Sequence, residues 1–317
     1  MDPVCGGSTH IFVLNYNGRA LLEECLPSVL EAARRAPMTC GVTVVDNNSS
    51  DGSLDNFEAR WPGVGLEREP NRGLASFNAV LERRAEPIVL LLNNDVKLSP
   101  DAVGPLIDTM AQHPDALFAA PQCWTFDGLT YEGMRTRVRM RYGIVQGLCR
   151  VPGHEEVVHL PDLTAAAGPV LAVDRLKFLA LGGFDPVYFP GRIEDLDLGF
   201  RGWMKGWRGY YAPQSVAYHQ GAGSFGPTFG SEGCEVLALR NSLLFCWKNL
   251  AGLRLASHLG WLPVRLAYWG LRGRHVGAVF GEALSRLGPV LRARRSLGVG
   301  GPSWCRRQDE FFRQFAW

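Results

Sequence analysis

Three carboxylates fall within the run Glu194-Asp195-Leu196-Asp197, at what the apolar spacing predicts is the start of a helix. An ionised carboxylate held in place can take the proton from an attacking hydroxyl. The positive end of the helix dipole lowers the pKa of such groups and their mutual repulsion raises it. Plain acidic decoration of a helix start is the competing explanation. Gly183 and Phe184 upstream and Trp203 downstream favour chemistry, because close backbone and aromatic faces suit a sugar ring, although they also suit packing. Asn93-Asn94-Asp95 closes the wholly apolar run 88–92. A carboxylate there can hold a hard divalent cation that bridges a diphosphate, whose departure needs its charge neutralised; an Asx turn is the simpler alternative. His219 follows a short apolar run, and its neutral imidazole can complete a metal shell with Asp95 or serve only in packing.

Asp46 opens the polar cluster 46–52 directly after a β-branched run. Its carboxylate can accept hydrogen bonds from a base edge or a ribose, with Asn48 adding neutral donors, while Ser50 or Asp51 caps the following helix. Arg135, Arg137, Arg139 and Arg141 recur with period two, so a strand would put all of them on one face. That face is either a solvated surface or a strip for an anionic acceptor.

The elements that must position these groups alternate. Apolar runs at 10–14, 42–45, 65–68, 88–92 and 117–120 read as strands, and helical spacing fills 19–35, 73–84 and 101–113. Such alternation means βαβ units: an α/β fold with a Rossmann-like, mostly parallel central sheet covered by helices on both faces. Ligands bind such sheets at the carboxyl ends of the strands. The polar clusters 15–18, 46–52 and 93–95 all sit at such ends, so one sheet edge is expected to form the site. Helical spacing returns after residue 233, which divides the chain into expected units at 8–120, 121–232 and a helical extension at 233–317.

The 46% hydrophobic and 20% charged content fits a folded chain and excludes a disordered one. Net charge is +2, yet residues 248–317 carry +9 and the remainder −7. A basic tail on an acidic body calls for an anionic partner. Nucleic acid is disfavoured because no recognised motif or regular aromatic–basic interleaving is present. The expectation is an anionic membrane surface met by Trp261, Leu262, Leu266, Trp269 and Val276, with Arg254, Arg265, Arg272 and Arg274 among them; a helical cap packed on the body is the alternative. The 8 Cys form no CxxC pair, so zinc and dithiol chemistry are weak readings and a reducing cytoplasm is expected. Neither a signal peptide nor a spanning apolar stretch is read, giving a cytoplasmic protein peripheral on the inner face of the cell membrane.

The ordered set Asn15-Tyr16-Asn17, Asp46 through Ser53, Asn71-Arg72-Gly73 with Asn78, Asn93-Asn94-Asp95, Gly182-Gly183-Phe184-Asp185 and Glu194-Asp195-Leu196-Asp197 resembles family 2 glycosyltransferases, most of all their rhamnosyltransferase-like branch. The resemblance covers residues 10–225 or so. It implies a GT-A fold and an inverting transfer from a nucleotide diphosphate sugar, dTDP-rhamnose or a UDP-sugar, to a glycan or lipid-linked acceptor in polysaccharide or glycoconjugate synthesis. It implies Asp195 as general base supported by Glu194 and Asp197, Asp46 at the nucleotide, and Asp95 with His219 at a Mg or Mn ion. Asn15, Tyr16, Asn17, Asn48, Asn71, Arg72, Gly73, Asn78, Asn93 and Asn94 would line the donor. Arg135, Arg137, Gly168, Gly183, Phe184 and Trp203 are expected on the acceptor side. Where the family motif has two carboxylates, this chain has only Asp95, so the metal leans on His219 and the diphosphate. A catalytically degenerate scaffold and a sugar nucleotidyltransferase are the competing functions; the latter usually needs a Gly-rich basic loop, and residues 14–19 have only Gly18 and Arg19.

Overall fold

The computed structural model describes residues 7–221, 225–273 and 275–317; Cys5, Ser224 and Arg274 lie outside them. The strands are β1 (Thr9–Asn15), β2 (Cys40–Asp46), β3 (Gly65–Arg68), β4 (Ile88–Asn93), β5 (Val96–Leu98), β6 (Ala116–Thr125), β7 (Tyr131–Gly133), β8 (Arg137–Arg141), β9 (Ile144–Leu148), β10 (Asp162–Leu163), β11 (Val170–Asp174) and β12 (Arg208–His219). The helices are α1 (Arg19–Arg34), α2 (Phe57–Arg60), α3 (Ser76–Glu82), α4 (Val103–Gln112), α5 (Arg175–Ala180), α6 (Glu194–Lys205), α7 (Phe225–Asn249), α8 (Gly252–Leu271), α9 (Val276–Ser285), α10 (Leu287–Ser296) and α11 (Gly301–Gln314).

The central sheet runs in the order β10-β12-β6-β11-β4-β1-β2-β3. β4, β1, β2 and β3 are parallel neighbours, which brings Asn15 beside Asp46 and Leu14 beside Asn93. One strand departs from the parallel pattern in mid-sheet: β11 is antiparallel to both β4 and β6, and β12 then runs parallel to β6. The sheet is therefore mixed across its centre, with a parallel set on either side.

Its two faces are buried in separate cores. Leu22, Leu26 and Val29 of α1 and Val103, Leu106 and Ile107 of α4 cover one face. Phe77 and Val80 of α3, Phe178 of α5 and Leu198 of α6 cover the other. A third core lies off the sheet. There Leu196, Phe200, Trp203 and Met204 of α6 meet Phe245 of α7, Trp269 of α8, Trp304, Phe311 and Phe312 of α11, and Val138 and Val145 of the β8–β9 hairpin. Phe200 and Phe311 pack edge to face with centroids 5.0 Å apart. Burying each such ring contributes about 1.5–3 kcal/mol, so the helices after residue 225 are welded to α6.

Helix α8 corrects the expected tail. Trp269 is buried, and Leu262, Leu266 and Val276 pack against the third core. Arg254 pairs with Asp309 at 2.7 Å, and Arg265 donates to the carbonyl of Arg141 at 2.6 Å. Of the expected set Trp261 does face outward, together with Leu253, Leu259, Val264, Tyr268 and Leu271. The reason is that the β8–β9 hairpin offers carbonyls and α11 a carboxylate, so these two arginines are satisfied against protein.

Candidate active site

The carboxyl ends of β1, β2 and β4 meet through a buried network. The Asn15 amide donates to Asp46 Oδ1 at 3.0 Å and to Ser53 Oγ at 3.1 Å, and Asn94 donates to Asn15 Oδ1 at 2.9 Å. Asp46 also accepts from the Ser49 backbone at 2.9 Å and the Ser49 hydroxyl at 2.5 Å. Asp46 is 1% exposed, and its carboxylate organises the loop at this edge. Of the expected donor residues Tyr16, Asn17, Asn48 and Arg72 are exposed, whereas Asn93 is half-buried. A Cβ at Gly18 would collide with the Asn94 amide, which is why the β1 turn takes glycine. The next loop folds over the same edge: Asn71 Oδ1 caps the Gly73 backbone N–H at 3.1 Å, and Asn47 donates to the Gly73 carbonyl at 3.2 Å. Gly73 has φ +59°, and an added Cβ would stand 2.7 Å from the Pro190 carbonyl of the opposing wall.

Asp95 and His219 converge as expected. β12 pairs with β5 so that His219 faces Val96, and the Gln220 backbone N–H donates to the Asp95 carbonyl at 3.1 Å. His219 Nε2 then lies 3.4 Å from Asp95 Oδ2. Adjacent donors around an ion with bonds of about 2.1 Å sit about 3 Å apart, so an oxygen and a nitrogen at this separation fit a small divalent cation. Sequence reading missed Glu132 of β7, whose Oε2 sits 2.8 Å from His219 Nδ1 and fixes the ring from behind. Cys123 joins Glu132 and His219 with ligand atoms within 4.8 Å of one another. Burial lowers the His219 pKa, but Asp95 and Glu132 outweigh it and the net shift is upward.

The acidic run at α6 separates into different roles. Asp195 is half-buried and accepts from the Gly168 backbone N–H at 3.0 Å and from the Leu196 N–H at 2.8 Å. Burial raises its pKa and these backbone donors oppose the rise. Burial and then the adjacent Asp195 push Glu194 up to about 8. Glu194 lines a small cleft with Arg72, Leu74 and Ala75 of the loop after β3 on one side and Phe184, Asp185, Phe189, Pro190 and Gly191 on the other. Asp197 is no part of this cleft. It is fully buried, 2.9 Å from Lys248 Nζ and 2.6 Å from Arg201 Nε, with Tyr188 Oη and Asn249 Nδ2 also donating. Burial opposes its charge, yet Lys248 and Arg201 hold its pKa well below the usual carboxylate range. Its expected catalytic support is therefore replaced by a structural one. Successive helix residues turn by about 100°, so Asp195 and Asp197 point to opposite sides of α6.

Several other expected contacts are likewise spent on the fold. Asn78 donates to the Phe184 carbonyl at 2.8 Å and accepts from its N–H at 2.9 Å, clamping the buried Gly183-Phe184 turn instead of reaching a donor. Phe184 is 1% exposed and packs on Phe178, and Trp203 lies in the third core with its Nε1 on the Arg307 carbonyl at 3.1 Å. Trp203 is thus spent on packing, whereas Phe184 also lines the cleft that holds Glu194. Arg135 lies just before β8, after Met134 at φ +87°. Arg135 and Arg137 both end on Asp162 Oδ2 at 2.5 Å, which removes them from an open phosphate strip. Only Gly168 of the acceptor set touches the candidate base.

Residues 10–155 match the family model described as Glycosyl transferase family 2. Over 291 residues, 83% of this chain and 89% of the relative, the sequence is 28% identical to N-acetylglucosaminyl-diphospho-decaprenol L-rhamnosyltransferase of Mycobacterium tuberculosis strain H37Rv, and equally to that of strain CDC 1551 / Oshkosh. Among solved structures, the mannosyltransferase PcManGT from Pyrobaculum calidifontis in complex with GDP-Man and Mn2+ matches with TM-score 0.52 and 17% identity over 98% of this chain and 88% of that one. GalNAc-T7 with UDP, GalNAc and Mn2+ matches with TM-score 0.54 and 18% identity over 67% of this chain but only 43% of that one. These likenesses show the GT-A fold.

Proposed function

Since this chain is a rhamnosyltransferase-like protein carrying a family 2 glycosyltransferase domain of GT-A fold, we propose that it transfers a sugar, with inversion, from a nucleotide diphosphate donor to an acceptor hydroxyl. The observation that carries this reading is Asp195, held by two backbone N–H groups at the head of α6 beside the cleft between the loop after β3 and residues 184–191. The acceptor oxygen forms its bond to the anomeric carbon as the bond to the diphosphate breaks, and its proton passes to Asp195. A single displacement from the face opposite the leaving group inverts the anomeric centre. The donor is dTDP-rhamnose or a UDP-sugar, by analogy with the mycobacterial relative's rhamnosyl transfer. A Mg or Mn ion held by Asp95 and His219 would neutralise the diphosphate.

The acceptor class is a lipid-linked glycan, in keeping with the decaprenyl diphosphate in that relative's name and with a role in cell-surface polysaccharide or glycoconjugate synthesis. Among the described residues no helix is long and apolar enough to cross a membrane. The outward stripe of α8 supports peripheral docking on the inner face of the membrane instead. Leu253 is 90% and Leu271 88% exposed, and Arg272, Arg292, Arg295 and Arg306 are exposed on the same helical region.

The chemistry is tested with Asp195→Asn. Transfer is expected to fall about 100–10,000-fold, with nucleotide diphosphate affinity by calorimetry unchanged. Wild-type turnover in the variant would remove Asp195 from the mechanism. Docking is tested by flotation with anionic vesicles: wild type binds at low salt and releases at high salt, and replacing Leu253, Val264 and Leu271 with Gln lowers the bound fraction. Equal flotation of wild type and variant would assign the stripe no role.

A further inference from the structure

The turn that leads into the candidate base is built in an unfavourable conformation. Arg192 has φ +82° and Ile193 φ +76°. A β-branched residue avoids that region unless its surroundings impose it. Glu194 and Asp195 follow at once, so any relaxation of the turn would rotate the head of α6.

What imposes the conformation comes from the C-terminal helices, about fifty residues away. Asn241 of α7 is fully buried, and its amide nitrogen donates to the carbonyls of Tyr188 at 2.9 Å, Gly191 at 2.7 Å and Arg192 at 2.8 Å. Its own oxygen accepts from Arg240 Nε at 2.9 Å, which fixes the amide with nitrogen toward the turn. Arg240 donates onward to the Phe189 carbonyl at 2.7 Å, and Arg286 to the Val187 carbonyl at 2.6 Å. Apart from the Asn241 oxygen itself, each of these acceptors is a backbone carbonyl between residues 187 and 192. The same stretch supplies Tyr188, Phe189, Pro190 and Gly191 to the cleft wall opposite Arg72 and Leu74.

We propose that Asn241 is a positioning residue for sugar transfer, acting through the 188–193 turn to hold Asp195 in place at the head of α6, next to the Glu194 that lines the cleft. The proposal rests on the reading of Asp195 as general base. It makes the C-terminal helices part of the catalytic apparatus, in addition to whatever surface they dock on.

The decisive variant is Asn241→Leu, close in volume and without donors. The expected result is a fall in kcat of about 100-fold, the scale of a small misplacement of a catalytic group. Nucleotide diphosphate affinity by calorimetry should stay within about twofold, and the acid limb of the pH–kcat profile should move, because the Asp195 surroundings change. A folded variant with unchanged kcat would overturn the proposal. So would a loss of kcat matched by an equal loss of donor affinity, which marks general unfolding. Should Asn241→Leu fail to fold, Arg286→Met releases only the outer grip on Val187 and is expected to lower kcat with donor affinity kept; an unchanged kcat there overturns the proposal equally. Asp195→Asn run in parallel separates the two ideas. Loss of transfer in Asp195→Asn with full activity in Asn241→Leu sinks the positioning role and leaves the base assignment standing. Full activity in Asp195→Asn sinks the base assignment and, with it, a positioning role that acts through Asp195.

Discussion

The two walls of the cleft are made rigid in different ways. The donor edge holds itself: Asn15, Asp46, Ser49, Ser53 and Asn94 bond to one another at the ends of neighbouring parallel strands. The opposite wall has short turns of its own, with the Val187 N–H on Asp185 Oδ1 and the Gly191 N–H on the Tyr188 carbonyl, and a second set of bonds from elsewhere. It is held from outside by Arg240, Asn241, Lys248 and Arg286, which reach in from the C-terminal helices. A self-bonded loop follows from the strands that end in it, whereas a loop held from outside depends on a distant part of the chain. Damage to the first should weaken donor binding, and damage to the second should weaken catalysis.

The largest expected effect tests the outer grip. Lys248 is 1% exposed and bridges Asp185 at 2.5 Å and Asp197 at 2.9 Å. Lys248→Met would leave Asp197 buried with only one cation beside it, at a cost of about 3–5 kcal/mol in chemical denaturation. Transfer by the remaining folded protein should also drop in kcat, and a purely proportional loss would erase the contrast between the walls. Asp46→Asn probes the self-bonded edge. It keeps the shape but weakens charge-assisted bonds, costing about 1–2 kcal/mol. Steady-state kinetics should show a raised donor KM with kcat nearly kept; a kcat defect as large as that of Lys248→Met would put both walls in one class.

The smallest effect is a pH dependence at the head of α6. Glu194 has a folded pKa raised to about 8, against about 4.3 unfolded. Below the unfolded value both states are protonated and the group makes no difference. As pH rises from about 4.3 to 8 the folded state keeps a proton the unfolded state has released, so stability falls over that window. Asp197 has the opposite sign: its depressed pKa contributes stability above the unfolded carboxylate range that is lost as pH falls. Glu194→Gln should therefore flatten the loss of thermal midpoint between pH 5 and 8, roughly, and leave the acid loss in place. Parallel profiles for wild type and variant would mean Glu194 is ionised in the folded state.

The sequence already carried much of the donor edge. Strand–helix alternation placed Asn15, Asp46 and Asp95 at the same ends of neighbouring strands, and they are there. The antiparallel β11 was not legible, because its Val170–Asp174 run is as apolar as a parallel strand. Asp197 could have been separated from Asp195 by helix geometry alone, since they lie about 200° apart around α6. Trp203 could have been read with Leu196 and Phe200 as one apolar helix face, and it packs so. Glu132 and Asn241 left no such trace: each acts on a residue tens of positions away, and their local surroundings look ordinary. Arg135 and Arg137 do reach one partner, as period two suggests, but Asp162 is some 25 positions away and could not be read as that partner.

The core that joins α6 to the last helices has a consequence for the order in which the molecule is made. Synthesis delivers the sheet first, and the donor edge can close as soon as β4 and Asp95 have emerged. The head of α6 cannot settle then, because Asp197 waits for Lys248 and the turn at 188–193 waits for Asn241 and Arg286. Phe200 and Trp203 wait longer still, for Phe311 of α11 and Phe315 directly after it. The head of α6 is thus completed later than the edge formed by β1, β2 and β4, once α7 and α11 have packed against it.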